Sequence, residues 1–363
     1  MLTFAQDTLN YAKASSEYEQ KVLTFCKNWQ QGQEQFILQT SGSTGEPKPI
    51  VLSRNQLITS AKMTGQVFGL HLNDHILVCL NVGYIAGMMM LVRGMELGLR
   101  MTVVAPTGNP LADFEETNQF DFVALVPLQL QHILEDKPSK IAILNKMKAV
   151  IVGGAAINAT LEEQIQLLTV PMYATYGMTE TVSHIAIRRL NGENRADFFT
   201  ILPNITIGTD HRSCLNISGG VTNFEIVQTN DLVEMIDSQS FRLLGRFDNI
   251  INSGGVKIQL EKVETVLAGI FQKLGIQDRF FAFGQPDNTL GERLVVVIER
   301  ASPLTDEQKV ALEALAKQVL SVYERPKSYY TFVKFLETAT SKINKKATFA
   351  RLLTQIANEK SGI

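Results

Sequence analysis

Phe36-Ile-Leu-Gln-Thr40-Ser-Gly-Ser-Thr-Gly-Glu-Pro-Lys48-Pro-Ile50 joins a short apolar run to a loop of hydroxyls, two glycines and one lysine. A strand that empties into such a loop suits a polyphosphate. Gly42 and Gly45 let the backbone approach an anion and adopt positive φ. Thr40, Ser41, Ser43 and Thr44 offer hydroxyl donors, Lys48 offers a charge, and successive N–H groups can form an anion-binding nest. A Walker A loop is excluded, because its Gly-Lys-Ser/Thr opens a helix whereas Pro47 and Pro49 flank Lys48. The chain is expected to continue extended through Pro49–Leu52. Taken alone, the cluster also reads as a Ser/Gly-rich surface turn.

Outward from this loop the pattern is strand, loop, helix, repeated. Residues 1–35 read as a helical arm ending near Gly32. Ser53 suits the N-cap of a helix to Phe68. Strands are expected at 75–80, 100–105, 122–126 and 148–152, with helices at 85–97, after Pro127 and after Asn158. This rhythm predicts an α/β sheet covered by helices, with ligands at the carboxyl ends of the strands. Residues 206–244 turn β-rich. After Gly245-Arg-Phe-Asp248 a smaller α+β unit is expected, with helices at 260–268 and 305–320, a capping box at Thr305/Gln308, strands at 280–283, 294–298 and 329–335, and a helix after Lys345. The expected division is a large domain over 1–246 and a small mobile lid domain over 247–363.

The sequence has 363 residues, 45% hydrophobic and 19% charged, with a formal charge of −2. That is ordinary for a globular protein and gives no basic field for nucleic acid or an anionic membrane. Cys26, Cys79 and Cys214 form no CxxC pair and read as free thiols of a reducing cytoplasm. The polar N-terminal residues do not read as a signal peptide, and no window reaches the apolar length of a membrane span. Homo-oligomerisation is left open.

Three further stretches carry chemistry. Tyr176-Gly-Met-Thr-Glu180 joins a turn glycine to a hydroxyl donor, Thr179, and a hard oxygen donor, Glu180, suited to Mg²⁺. Asp231, followed by Gly245-Arg246-Phe-Asp248, offers a carboxylate for ribose hydroxyls and a guanidinium; the plain alternative is a surface Asp–Arg pair at a junction. Lys342, in Glu337-Thr-Ala-Thr-Ser-Lys342-Ile-Asn-Lys-Lys346, offers a cation near the C-terminus, and Lys345 and Lys346 read as ordinary exposed charges.

In this order the motifs resemble the adenylate-forming superfamily of acyl-CoA ligases, adenylation domains and luciferases, from about residue 36 to the C-terminus. The resemblance implies ATP, Mg²⁺ and coenzyme A as ligands, and a small carboxylate as substrate. It implies phosphate binding by 40–48, an adenine wall at Gly153-Gly154, and adenine packing on Tyr176 beside Gly177. It assigns Thr179 to the α-phosphate, Glu180 to magnesium, Asp231 to ribose, Arg246 to ribose or phosphate, Asp248 to a hinge and Lys342 to catalysis. Asn230 stands where the family has glycine and is expected in the left-handed region; Ser341 also replaces a glycine. Gly254 and Gly255 would face the pantetheine, with Lys257 a coenzyme A contact. Tyr84 to Val103 is similar to the substrate segment of the o-succinylbenzoate–CoA ligase branch, with Tyr84 at its histidine and Ala86 at its serine. On that likeness Arg93 binds a second carboxylate; the alternative is a helix-surface arginine. Met88, Met89 and Met90 read as core. Rival readings are a ligase for another aryl or short-chain acid, a stand-alone adenylation domain loading a carrier protein, and a nucleotide-binding relative without activity.

Overall fold

The computed structural model describes residues 1–39, 49–338 and 343–361. Near the N-terminus, β1 (Leu2–Phe4) precedes α1 (Glu17–Gln30), whose Ser16 cap accepts from the Glu19 N–H. β2 (Gln35–Gln39) and β3 (Pro49–Ser53) pair antiparallel, with Gln39 opposite Pro49. Ser53 then starts α2 (Arg54–Phe68) through a reciprocal capping box with Gln56, and Gly69 stops it at φ +59°.

The βα rhythm follows: β4 (His75–Val78), α3 (Ile85–Glu96), β5 (Arg100–Val103), β6 (Phe122–Leu125), α4 (Pro127–Glu135), α5 (Pro138–Asn145), β7 (Ala149–Val152), α6 (Ala159–Ile165) and β8 (Met172–Gly177). Strands β4 to β8 run parallel in the order β5-β4-β6-β7-β8. The middle strands β6 and β7 are buried along their whole length, as apolar runs covered on both faces must be. Antiparallel strands β9 (His184–Arg189), β10 (Phe199–Ile201), β11 (Ile205–Thr209), β12 (Cys214–Gly219), β13 (Val227–Met235) and β14 (Ser240–Arg246) extend the same sheet in the order β9-β10-β14-β13-β12-β11. The β-rich stretch is therefore an extension of the α/β sheet.

The chain leaves this sheet at Arg246 and builds a second one. β15 (Ile250–Ser253) and β16 (Val256–Gln259) form a hairpin, α7 (Leu260–Lys273) follows, and β17 (Phe280–Asp287) pairs with β18 (Gly291–Glu299). After α8 (Asp306–Val319), β19 (Ser328–Phe332) lies parallel to β18, and α9 (Lys345–Ser361) ends the described chain. The core of the first sheet runs from Leu2 to Phe241; the apolar clusters of the second begin at Ile251.

The expectation of a wholly helical segment over residues 1–35 does not hold. β1 pairs antiparallel with β5 and buries Leu2 and Phe4 on one side; three residues are too few to show a period of two. Met88, Met89 and Met90 are core, and all three cysteines are buried free thiols. No helix among the described residues is long and apolar enough to cross a membrane.

Candidate active site

The loops after β7 and β8 lie side by side at the carboxyl edge of the parallel strands. Gly153 sits so close to Thr175 that an added Cβ would stand 2.3 Å from its Oγ1, and Gly154 turns at φ +87°. Thr175 fills the space beside Gly153, and the exposed Gly154 leaves its backbone bare for close approach by a ligand.

β8 ends at Tyr176. Its ring is 8% exposed and packs against Phe199 and Phe241, with centroids 5.9 and 5.2 Å away. Its hydroxyl donates to Asp231 Oδ2 on β13 at 2.5 Å. Burial, reinforced by that carboxylate, raises the phenol's pKa, so it remains a donor. The other oxygen of Asp231 faces Arg246 Nη1 at 3.3 Å. Arg246 in turn forks onto Asp248 through Nε and Nη2 at 2.9 and 2.8 Å. This fork raises the guanidinium pKa and holds the Asp248 carboxyl below the usual range. Tyr176, Asp231, Arg246 and Asp248, more than 70 residues apart at the extremes, thus form one hydrogen-bonded chain. Asp231 is buried, so the surface-pair alternative fails at one end.

Asn230 corrects an expectation. It lies inside β13 and is absent from the residues of positive φ. A ladder position needs no left-handed backbone, so the glycine of the family motif is dispensable here. Asn230 Oδ1 instead accepts from Arg212 Nη1 at 3.0 Å, while the Arg212 guanidinium lies 5.1 Å from the Phe247 ring centroid.

Gly177 is a close approach rather than a turn of positive φ: a Cβ there would meet the Ser183 carbonyl at 2.2 Å. Thr179–Thr181 form one 3₁₀ turn, and Val182 follows at φ 67°, ψ −61°. With Ser183 N–H donating to the Thr181 carbonyl at 2.7 Å, this is a γ-turn centred on a β-branched residue, a costly conformation. The turn leaves Glu180 exposed, accepting no hydrogen bond from any described residue, and drives Ser183 and His184 inward.

There they meet Arg93. The guanidinium is 1% exposed, so the helix-surface reading is wrong. Its polar partners are neutral: Thr64 Oγ1 at 3.2 Å, Ser183 Oγ at 2.9 Å and Met90 Sδ at 3.5 Å. No carboxylate among the described residues pairs with it. Burial pushes its pKa down to about 9. His184 stands beside it, within 3.5 Å of Thr64 Oγ1 and 3.3 Å of Ser183 Oγ. Burial, and then the Arg93 charge, hold its pKa well below 6.5, so it is neutral. Ser60 Oγ, one turn before Thr64, is buried without a partner among the described residues. A buried cation without a counter-charge is unfavourable and suits an incoming anion. Ser60, Thr64, Ser183 and His184 were missed in the sequence reading; the available signal was the Ser-His pair directly after the Thr-Glu motif. Tyr84 is 38% exposed and precedes the first turn of α3, whereas Arg93 lies in its last turn. The helical rise separates them by roughly 13 Å along the axis.

Gly254 and Gly255, at φ +61° and +83°, are the turn of the β15–β16 hairpin. Lys257 is exposed on β16. No described hydrogen bond joins these three to the Tyr176 chain. Lys345 is not a free surface charge: its Nζ lies 2.6 Å from Glu264 Oε1. Thr40, Ser41, Gly42, Ser43, Thr44, Gly45, Lys48 and Lys342 lie outside the described residues. Their flanks are paired, Gln39 with Pro49 and Glu337 with Ile343.

A family model described as AMP-binding enzyme matches residues 3–206, more than half of the 363-residue chain. The chain belongs to this family. Among its relatives, the 2-succinylbenzoate–CoA ligase of Escherichia coli (strain K12) is 28% identical over 335 residues, 88% of this chain and 69% of that protein. A Dyadobacter fermentans acyl-CoA synthetase (AMP-forming)/AMP-acid ligase II-like protein, solved by crystallography, is 46% identical, with a TM-score of 0.66 over 97% of this chain and all of that one. O-succinylbenzoate coenzyme A synthetase from Bacillus subtilis, in complex with ATP and magnesium, shares the fold at 19% identity, with a TM-score of 0.70 over 86% of this chain and 69% of that one. An AMP-binding enzyme with an α/β sheet of this order is what the motifs lead one to expect.

Proposed function

We propose that this AMP-binding enzyme is an AMP-forming acid–CoA ligase whose acid is a small aryl dicarboxylate, o-succinylbenzoate. The observation that carries the substrate is Arg93: a fully buried guanidinium, held by hydroxyls and a thioether, with no acidic partner among the described residues. A monocarboxylate spends its one charge in the reaction. A second carboxylate gives Arg93 the counter-charge it lacks. The E. coli relative named 2-succinylbenzoate–CoA ligase supports the same choice.

In the first half-reaction the reacting carboxylate attacks the α-phosphorus of ATP, giving acyl-adenylate and pyrophosphate. The protein's contribution is orientation and charge neutralisation. Asp231, fixed by Tyr176 and Arg246, presents a carboxylate for the ribose hydroxyls. Gly153-Gly154 and Tyr176-Gly177 line the adenine, and Thr179 donates to the α-phosphate. Thr40 to Lys48 hold the β- and γ-phosphates. Glu180, exposed and unengaged by any described residue, fits Mg²⁺, which reaches proteins through one or two carboxylates plus substrate phosphates; bound there, the ion would neutralise phosphate charge. Lys342 supplies the cation between carboxylate and phosphate. In the second half-reaction the small unit, residues 247–363, turns about Asp248, and coenzyme A attacks the acyl-adenylate, with Gly254, Gly255 and Lys257 beside the pantetheine.

The test is pyrophosphate release with ATP, Mg²⁺ and o-succinylbenzoate, with and without coenzyme A. Release that requires the acid, with thioester formed only when coenzyme A is present, supports both half-reactions. No release with this acid removes the substrate assignment. Adenylate without thioester favours a carrier protein as acceptor.

A further inference from the structure

The segment that links the two sheets is gripped from the second one. Gln259 Nε2 donates to the Leu244 carbonyl at 2.6 Å. Glu261, in the first turn of α7, accepts through Oε1 from Asn249 Nδ2 at 2.5 Å and from the Arg246 backbone N–H at 3.3 Å. Both side chains press on Gly245, where a Cβ would stand 2.5 Å from Gln259 Nε2 and 2.8 Å from Glu261 Oε2. Only glycine fits, at φ +146°.

We infer that Glu261 is a latch that holds the small unit in this orientation, and so sets the balance between the two half-reactions. The inference rests on the proposed rotation about Asp248. Arg246 precedes that pivot and stays with the large sheet, tied to Asp231; Glu261 follows the pivot and moves with α7. A rotation must therefore break the Glu261–Arg246 contact. The grip is also incomplete. Glu261 Oε2 is buried with no hydrogen-bond partner among the described residues, and an unsatisfied buried oxygen is unfavourable. One oxygen binds the linker while the other favours release, so the orientation is held without being locked. Glu261 touches no reacting atom in this scheme; it is a positioning residue.

Glu261→Ala should change the ratio of thioester-forming to adenylate-forming rates by about fivefold, the population shift expected from losing the one hydrogen bond that crosses the pivot. Glu261→Gln retains the accepting oxygen and should stay within about twofold of the parent. Gln259→Ala removes the other side-chain grip that crosses the pivot, on the Leu244 carbonyl, and should shift the ratio in the same direction. A second readout needs no activity. Spin labels at the exposed Lys62→Cys and Glu313→Cys, with the native thiols buried, report the distance between α2 and α8. The Glu261→Ala variant should broaden or shift that distribution. An unchanged distribution overturns the latch whatever the activity. A changed distribution with an unchanged rate ratio overturns its link to the reaction. Absence of pyrophosphate release in the parent defeats the proposed function, while the distance measurement still decides the latch.

Discussion

Two arginines divide the molecule's electrostatics. Arg93 is fully buried on α3 among neutral groups, and burial pushes its pKa down to about 9. Arg246 lies partly exposed at the end of β14 between Asp231 and Asp248, and its pKa is raised. The same side chain is destabilised in one place and satisfied in the other. Arg246 has its counter-charges in the chain and therefore reads as part of the framework. Arg93 has none among the described residues, which is why it is the proposed anchor for a substrate carboxylate.

The comparison is broken most directly at Arg93. Arg93→Met should raise the KM for the dicarboxylic acid by roughly 30- to 100-fold, the loss of a charge-assisted pair. It should leave the melting temperature unchanged or higher, because an apolar chain of similar volume replaces an uncompensated charge. A KM unchanged by this substitution would remove Arg93 from the acid site.

Tyr176→Phe deletes the hydroxyl that anchors Asp231 and should cost about 1–2 kcal/mol of stability by denaturant titration, with a higher KM for ATP. Arg246→Met should cost about 1 kcal/mol, small because the guanidinium is partly solvated, with little effect on the KM for the acid. If Arg246→Met stabilised the protein and Arg93→Met destabilised it, the contrast would be inverted.

The smallest effect is in pH. The folded pKa of His184 lies below its unfolded value, so below about pH 6.5 the unfolded chain binds a proton that the folded chain refuses, and stability falls with acid. The slope contributed is at most about 1.4 kcal/mol per pH unit. His184→Gln should flatten the melting temperature between pH 6.5 and 5; an unchanged slope would show that His184 titrates freely. The shift owes part of its size to Arg93, so Arg93→Met should also reduce it.

Much of the fold was legible because its signals are local. Ser53 caps α2 as expected, with Gln56 completing a box, Thr305/Gln308 form the expected capping box, and Pro127 opens α4. The strands from His75 to Val152 are short apolar runs with turn residues around them. What escaped was short or non-local. β1 has too few residues for a periodic signal. α5 begins at Pro138 on a segment with no clear apolar stripe. The β15–β16 hairpin turns at Gly254-Gly255, glycines that the family resemblance had assigned to a ligand.

The sequence by itself determined the α/β class, because caps, turns and apolar periods act over a few residues, and its ordered motifs pointed to the AMP-binding enzyme family by resemblance. It also nominated Arg93, Tyr176, Asp231, Arg246 and Asp248 one by one. Only the tertiary structure decided that the last four form a single hydrogen-bonded chain, that Asn230 needs no left-handed backbone, and that Arg93 is buried with no carboxylate partner among the described residues. The reason is that charge compensation depends on which side chains meet across the fold, and residues as far apart as Thr64, Arg93 and Ser183 are brought together only by packing.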